Sequence, residues 1–289
     1  MSKINISDVV DCLEISFDIR KILLEAIGLI LSILILLAFF FIGNIANNGF
    51  ISFVSYLIGF ILSIFSFGIT SVAISKMAYS ELSIGEKLNW KEAISFSFKN
   101  WTKILLSPII VLLIVAIFYF VQKLFFLLGN IPALAVIISI FTVPIVILNA
   151  LLILFLALST TFIPAIISVD NLSPIKIITR IYEILKTSTI KTYSYIALLS
   201  LIGGQVLLSG AIILYLATFI PFLIFSSSTG IFSAIYATEL ETFPVSISFA
   251  WVIFVLSILI ILLAFISYSI VFLKTSLVNF YHSIKGNLK

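Results

Sequence analysis

The sequence predicts an all-α polytopic membrane bundle: about six transmembrane helices arranged as three hairpins, each led by an amphipathic helix in the cytoplasmic interface. Three observations carry this expectation. Of 289 residues, 62% are hydrophobic and 10% charged, with a mean hydropathy of +1.34, against roughly 45–50% apolar and about 25% charged in a soluble domain. The apolar residues fall into six long runs. The cations gather in alternate connections rather than in all of them.

No water-soluble surface can be built from this composition, and no segment carries enough charge to form a separate soluble domain. Residues 1–289 therefore read as a single transmembrane domain. The isoelectric point near 9.1 reflects 16 Lys and Arg against 12 Asp and Glu, a balance too modest to suggest nucleic acid.

The chain opens on a polar segment in which Val9 or Val10, Leu13 and Phe17 recur at helical spacing. Asp8, Asp11, Glu14 and Asp18 precede the first apolar run, unlike the basic start of a signal peptide, so that run is expected to stay as an anchor. A helix rises 1.5 Å per residue, so about 20 apolar residues cross a hydrocarbon core of about 30 Å. Runs at roughly 21–42, 50–75, 104–128, 133–168, 193–225 and 245–273 meet that length. The fourth and fifth exceed it and are expected to tilt, kink or emerge, with Pro144, Pro164 and Pro221 as the natural places.

Before the third run, Asn89 and Glu92 have the spacing of a capping box. Trp90, Ile94, Phe98 and Trp101 then form an apolar stripe beside Lys91, Lys99 and Lys103. Before the fifth, Ser173 can cap and Pro174 suits the first helical position; Ile175, Ile178, Tyr182 and Leu185 form a stripe opposite Lys176 and Arg180. An apolar face at the acyl boundary with cations among headgroups marks an in-plane helix. Each basic residue near the surface adds about 1 kcal/mol of attraction to anionic lipid.

Fifteen of the sixteen cations lie in the N-terminal segment, the second-to-third connection, the fourth-to-fifth connection and the segment after the last run; Lys123 is the exception. Under the positive-inside rule, this places both termini in the cytoplasm. The junction Arg20-Lys21-Ile22-Leu23-Leu24 matches Thr102-Lys103-Ile104-Leu105-Leu106, and Lys186 to Lys191 matches more weakly. This suggests repeat units of about 5–75, 83–168 and 172–273, with a cytoplasmic tail at 274–289.

Ionisable groups inside spans usually serve an ion, a proton or a substrate. Here only Glu25, one turn inside the first run, and Lys123, near the end of the third, are present, each close enough to an interface to snorkel. Asn149 and Gln205 lie within the fourth and fifth runs, where an amide must find a partner; interhelical bonding is its ordinary use. Ser159, Thr160 and Thr161 can bond their own backbone carbonyls. Gly203 and Gly204, with the prolines, fit either close helix approach or the broken helices of a transporter. Phe232, Tyr236 and Leu240, with Glu239 and Glu241, suggest a short helix on the opposite face. Cys12 and His282 are single residues, without the companions that metal ligation or nucleophilic catalysis requires. No phosphate loop, HExxH or GxSxG is present. An enzyme is not expected, nor is a cofactor.

The segment Phe162-Ile163-Pro164-Ala165-Ile166-Ile167-Ser168-Val169-Asp170, followed by Ser173-Pro174 and the basic helix to Lys191, resembles a junction in six-span prokaryotic membrane families. These include the membrane domain fused to some glycerophosphodiester phosphodiesterases and the YciC-like inner-membrane proteins. The resemblance implies a multi-pass protein of the cytoplasmic membrane without an active site of its own, and it transfers no functional residues, the phosphodiesterase catalytic domain having no counterpart here.

The leading expectation is a non-enzymatic module that organises lipid, anionic lipid in particular, or a membrane-protein partner. Its candidate contact residues are Trp90, Lys91, Lys99, Trp101, Lys103, Lys176 and Arg180. The alternative is a transporter or channel for a small or apolar solute, motivated by Pro144, Pro164, Gly203 and Gly204 and by the amides Asn149 and Gln205, with Glu25 as a further intramembrane polar candidate; a water-accessible midplane cavity lined by those prolines, glycines and amides would mark it.

Overall fold

The computed structural model describes residues 6–46, 48–128, 132–229 and 245–287. All described elements are helical: α1 (Ile6–Ser16), α2 (Ile19–Ile45), α3 (Gly49–Ile84), α4 (Trp90–Lys99), α5 (Trp101–Leu127), α6 (Pro132–Asp170), α7 (Pro174–Thr229) and α8 (Val245–Ile284), with a closing 3-10 turn at Lys285–Asn287. Six helices are long and apolar enough to cross a membrane: Ile19–Ile45, Gly49–Ile84, Trp101–Leu127, Ile140–Asp170, Ile190–Ile212 and Val255–Ile284. The chain is thus a multi-pass membrane protein.

Local chemistry explains the helix ends. Asp18 caps α2 by accepting from the Arg20 N–H at 3.0 Å. Burial alone would raise its carboxyl, but hydrogen bonds from the Arg20 side chain and backbone, with the nearby positive charge, hold it below the ordinary value of 3.8. Asn48 caps α3, accepting from Phe50 and Ile51, and α3 ends at Gly85, whose φ of +79° is open to glycine without a Cβ penalty. Asn89 caps α4 through the Lys91 N–H at 3.1 Å. Asn171, with φ +52°, stops α6, and asparagine is among the few residues that tolerate this conformation. Ser173 and Pro174 start α7, the Ile177 N–H bonding the Ser173 carbonyl at 2.9 Å.

Packing follows a regular order. The pairs α2–α3, α5–α6 and α7–α8 are in contact, the first most extensively. α3, α6 and α8 also pack on one another, and α2 packs on α8, α5 on α3, and α7 on α6 and on α5 alike. The buried core sits at the basic end, where Ile74, Met77, Phe162, Ile166, Ile167, Ile177, Ile181, Phe272 and Tyr281 are almost wholly covered. Farther along, α2 exposes Ile33, Leu34, Leu37, Phe40 and Phe41, an apolar exterior that suits lipid and not water.

Two features depart from the expectations. The third leading segment is not a separate helix: α7 runs unbroken for 56 residues, about 84 Å at the helical rise, because nothing between Pro174 and Lys191 breaks it. Its buried stripe is Ile177, Ile181 and Ile184, while Ile175 and Tyr182 are exposed and Ile178 and Leu185 only half-buried. The expected tail from residue 274 is instead the end of α8, helical to Ile284, with Lys274, Thr275, Ser276, Val278, Phe280 and Tyr281 buried. The expected short helix around Phe232 and Leu240 lies outside the described residues.

Candidate functional site

α4 is short and strongly two-faced. Ala93, Ser97 and the following Asn100 point into the bundle, while Trp90, Phe98 and Trp101 are each about half exposed. The aromatic stripe read from the sequence is therefore turned away from the protein. Ile94 is the exception, packing in the core with Leu24, Ala73 and Met77. Lys91, Glu92 and Lys99 are exposed beside these rings, and the Lys91 ammonium stands 5.7 Å from the Trp90 ring centre. Phe17, 76% exposed at the end of α1, and Ile175, 72% exposed at the start of α7, add further outward apolar groups. Lys176 is exposed, and Arg180 pairs with Glu183 at 3.0 Å.

The α6 C-terminus is ringed by cations. The Lys76 ammonium lies 3.4 Å from the Ser168 carbonyl, Lys103 donates to the Asn171 backbone carbonyl at 3.0 Å and side-chain carbonyl at 2.5 Å, and Lys285 stands 3.6 Å from the Asp170 carboxylate. Tyr281 donates to the same carboxylate. These lysines come from α3, α5 and the turn after α8, and they offset the negative end of the helix dipole.

Glu25, expected to snorkel, is fully buried. Its Oε2 accepts from Lys274 at 2.5 Å, with side-chain exposures of 0% and 8%. The ammonium also lies 4.5 Å from the Phe67 ring centre, and Oε1 has no partner. Nearby in sequence, Lys21 is 1% exposed and donates to Glu81 at 2.6 Å and to the Ile15 carbonyl at 2.8 Å. Lysines of α2 and α5 thus each reach the end of the helix that follows: Lys21 of α2 to Glu81 of α3, and Lys103 of α5 to Asn171 after α6.

The intramembrane candidates do not meet. Asn149 accepts from the Gln122 amide of α5 at 2.6 Å, Glu25 is committed to Lys274, and Gln205 is exposed on α7 beside Gly204. Sequence reasoning missed Gln122; an amide 27 positions before Asn149, on the preceding apolar run, was the available signal.

An apolar cavity of about 290 Å³ lies between α3, α5 and α6. Phe60, Phe67, Gly68 and Ser71 line it from α3, Ile104 and Pro108 from α5, and Thr160 and Pro164 from α6. Of the residues named for a transport site it includes Pro164 but none of Glu25, Asn149 and Gln205. A methyl group on Gly68 would stand 2.5 Å from the Ile104 side chain, so glycine here permits α3 and α5 to approach.

Compared with known protein families, with curated proteins and with solved structures, the chain matches none.

Proposed function

We propose that this chain is a non-enzymatic module of the cytoplasmic membrane, both termini inside, that organises anionic lipid along its basic end. The observation carrying this reading is the outward stripe of Trp90, Phe98 and Trp101 beside Lys91 and Lys99. Aromatic rings at this level favour the interfacial zone, and the cations favour an anionic surface. The packing order supports three related helical hairpins: the first helix of each pair rests on the second helix of the preceding pair, α2 on α8, α5 on α3 and α7 on α6, and α3, α6 and α8 pack on one another. The lysine contacts of α2 and α5 repeat as well.

The test replaces Lys91, Lys99, Lys103, Lys176 and Arg180 with Gln. The chain is extracted from vesicles holding equal phosphatidylglycerol and phosphatidylcholine, and the lipid that stays with it is quantified. The wild type is expected to carry an excess of phosphatidylglycerol and the variant to lose it. An unchanged ratio with intact helicity would end the proposal. The transport reading draws on Pro144, Pro164, Gly203 and Gly204 with Asn149 and Gln205; Pro164 lines the apolar cavity, whereas Asn149 bonds Gln122 and Gln205 is exposed on α7.

A further inference from the structure

We infer that the cavity between α3, α5 and α6 holds one acyl chain of a single anionic phospholipid whose phosphate lies against Lys103. This rests on the lipid-organising reading above and deepens it by naming one bound molecule. Two prolines shape the cavity. Proline cannot donate to the carbonyl four residues earlier, and its ring pushes that turn aside. Pro108 frees the carbonyl of Ile104 and Pro164 that of Thr160, and all four residues line the cavity. Two helices are thus loosened facing the same space.

The lining is graded along the bundle axis. Helices α3 and α6 run toward the basic end and α5 away from it. Phe60, Leu112 and Leu156 therefore bound the far half, and Ser71, Ile104 and Pro164 the near half. The far half is hydrocarbon throughout. The near half offers the Ile104 carbonyl and the Ser71 hydroxyl, which is 1% exposed and has no hydrogen-bond partner. Beyond it stands Lys103, adjacent to Ile104. Its ammonium spends two donors on Asn171 and keeps a third. Lys99 is exposed one turn earlier, Lys76 approaches the same turn, and the acid present there, Asp170, is engaged by Tyr281 and Lys285. Hydrocarbon, then a donor at ester height, then net positive charge is the order in which a phospholipid presents its chain, ester and phosphate. Phe60 and Leu112 are 47% and 36% exposed at the outer lip, so the space is open on the side where bilayer lipid stands. Its volume is near the lower end for ligand sites, sufficient for part of one chain.

Native mass spectrometry of the full chain, extracted in mild detergent from the same mixed vesicles, tests this. One phosphatidylglycerol per chain is expected to survive extraction, and excess glycerol phosphate, which has no acyl chain, is expected not to displace it. Thr160→Trp, at an exposed position on the cavity wall, should lower its occupancy at least tenfold; Leu112→Trp serves the same purpose should the first variant not fold. Lys103→Gln should leave a bound lipid but remove the preference over phosphatidylcholine. Equal retention of both lipids by the wild type, displacement by glycerol phosphate alone, or full occupancy in a folded Trp variant would overturn the inference. The Trp variants retain every cation of the surface. Their failure to lower occupancy, with the bulk excess of phosphatidylglycerol intact, would thus sink the bound lipid and not the broader reading.

Discussion

Separating Glu25 from Lys274 is the sharpest perturbation the structure offers. At 2.5 Å and an effective dielectric of 20, the attraction is about 7 kcal/mol. Removing two charges from water costs several kcal/mol per ion, so the intact pair contributes little net stability. Losing one partner is different, because the attraction disappears while the other charge stays buried without compensation. Glu25→Leu or Lys274→Met alone should therefore cost about 3–5 kcal/mol, whereas the two combined should lie near the wild type or above it. The assay is equilibrium unfolding in mixed micelles, followed by circular dichroism and read as a double-mutant cycle. Single variants of wild-type stability, or a double variant whose loss is the sum of the two singles, would refute the burial and pairing of these two side chains. The cycle also tests topology, since the two residues are 249 positions apart and join the first spanning helix to the last.

Other expectations follow from particular contacts. Asp18→Ala should cost about 1 kcal/mol by uncapping α2, and Asp18→Asn less, since an amide oxygen still accepts from Arg20. Because the folded carboxyl is held below its unfolded value, its contribution is complete above the unfolded value near pH 4 and is lost as pH falls through the lower folded value. Wild type and Asp18→Asn should therefore converge in unfolding titrations only at strongly acidic pH. A cycle on Gln122→Ala and Asn149→Ala should show coupling of about 0.6–1.7 kcal/mol; zero coupling would remove the interhelical bond. Gly28→Ala should lower the unfolding midpoint because the added methyl overlaps the Thr70 side chain, and Thr70→Gly should restore it. Reporter fusions near residues 90 and 235 should land on opposite sides of the membrane; a common side would overthrow the orientation.

Much of the secondary structure can be read from local sequence, because its causes are local. Twenty apolar residues without charge leave a backbone that must satisfy itself as helix, and Asn48, Asn89, Ser173 with Pro174, and Asn171 mark the ends by chemistry within three or four residues. The site is less legible. Lys274 follows a long apolar run, where a lysine ordinarily reaches for the interface, and nothing near it in the chain reveals that Glu25 will meet it. The outward turn of Trp90, Phe98 and Trp101 depended on Ala93 and Ser97 being small enough to face the bundle.

α7 shows where sequence periodicity stops. Ile175, Ile178, Tyr182 and Leu185 form as good a stripe as Ile177, Ile181 and Ile184, and only packing against the rest of the bundle selects the second. In water, apolar residues face inward because the exterior rejects them. In a bilayer the exterior accepts them equally, so hydrophobicity by itself determined that these helices span but not which sides they press together. That choice fell to shape, to the prolines and small residues that set how closely helices approach, and to the few charges that had to find each other across the bundle.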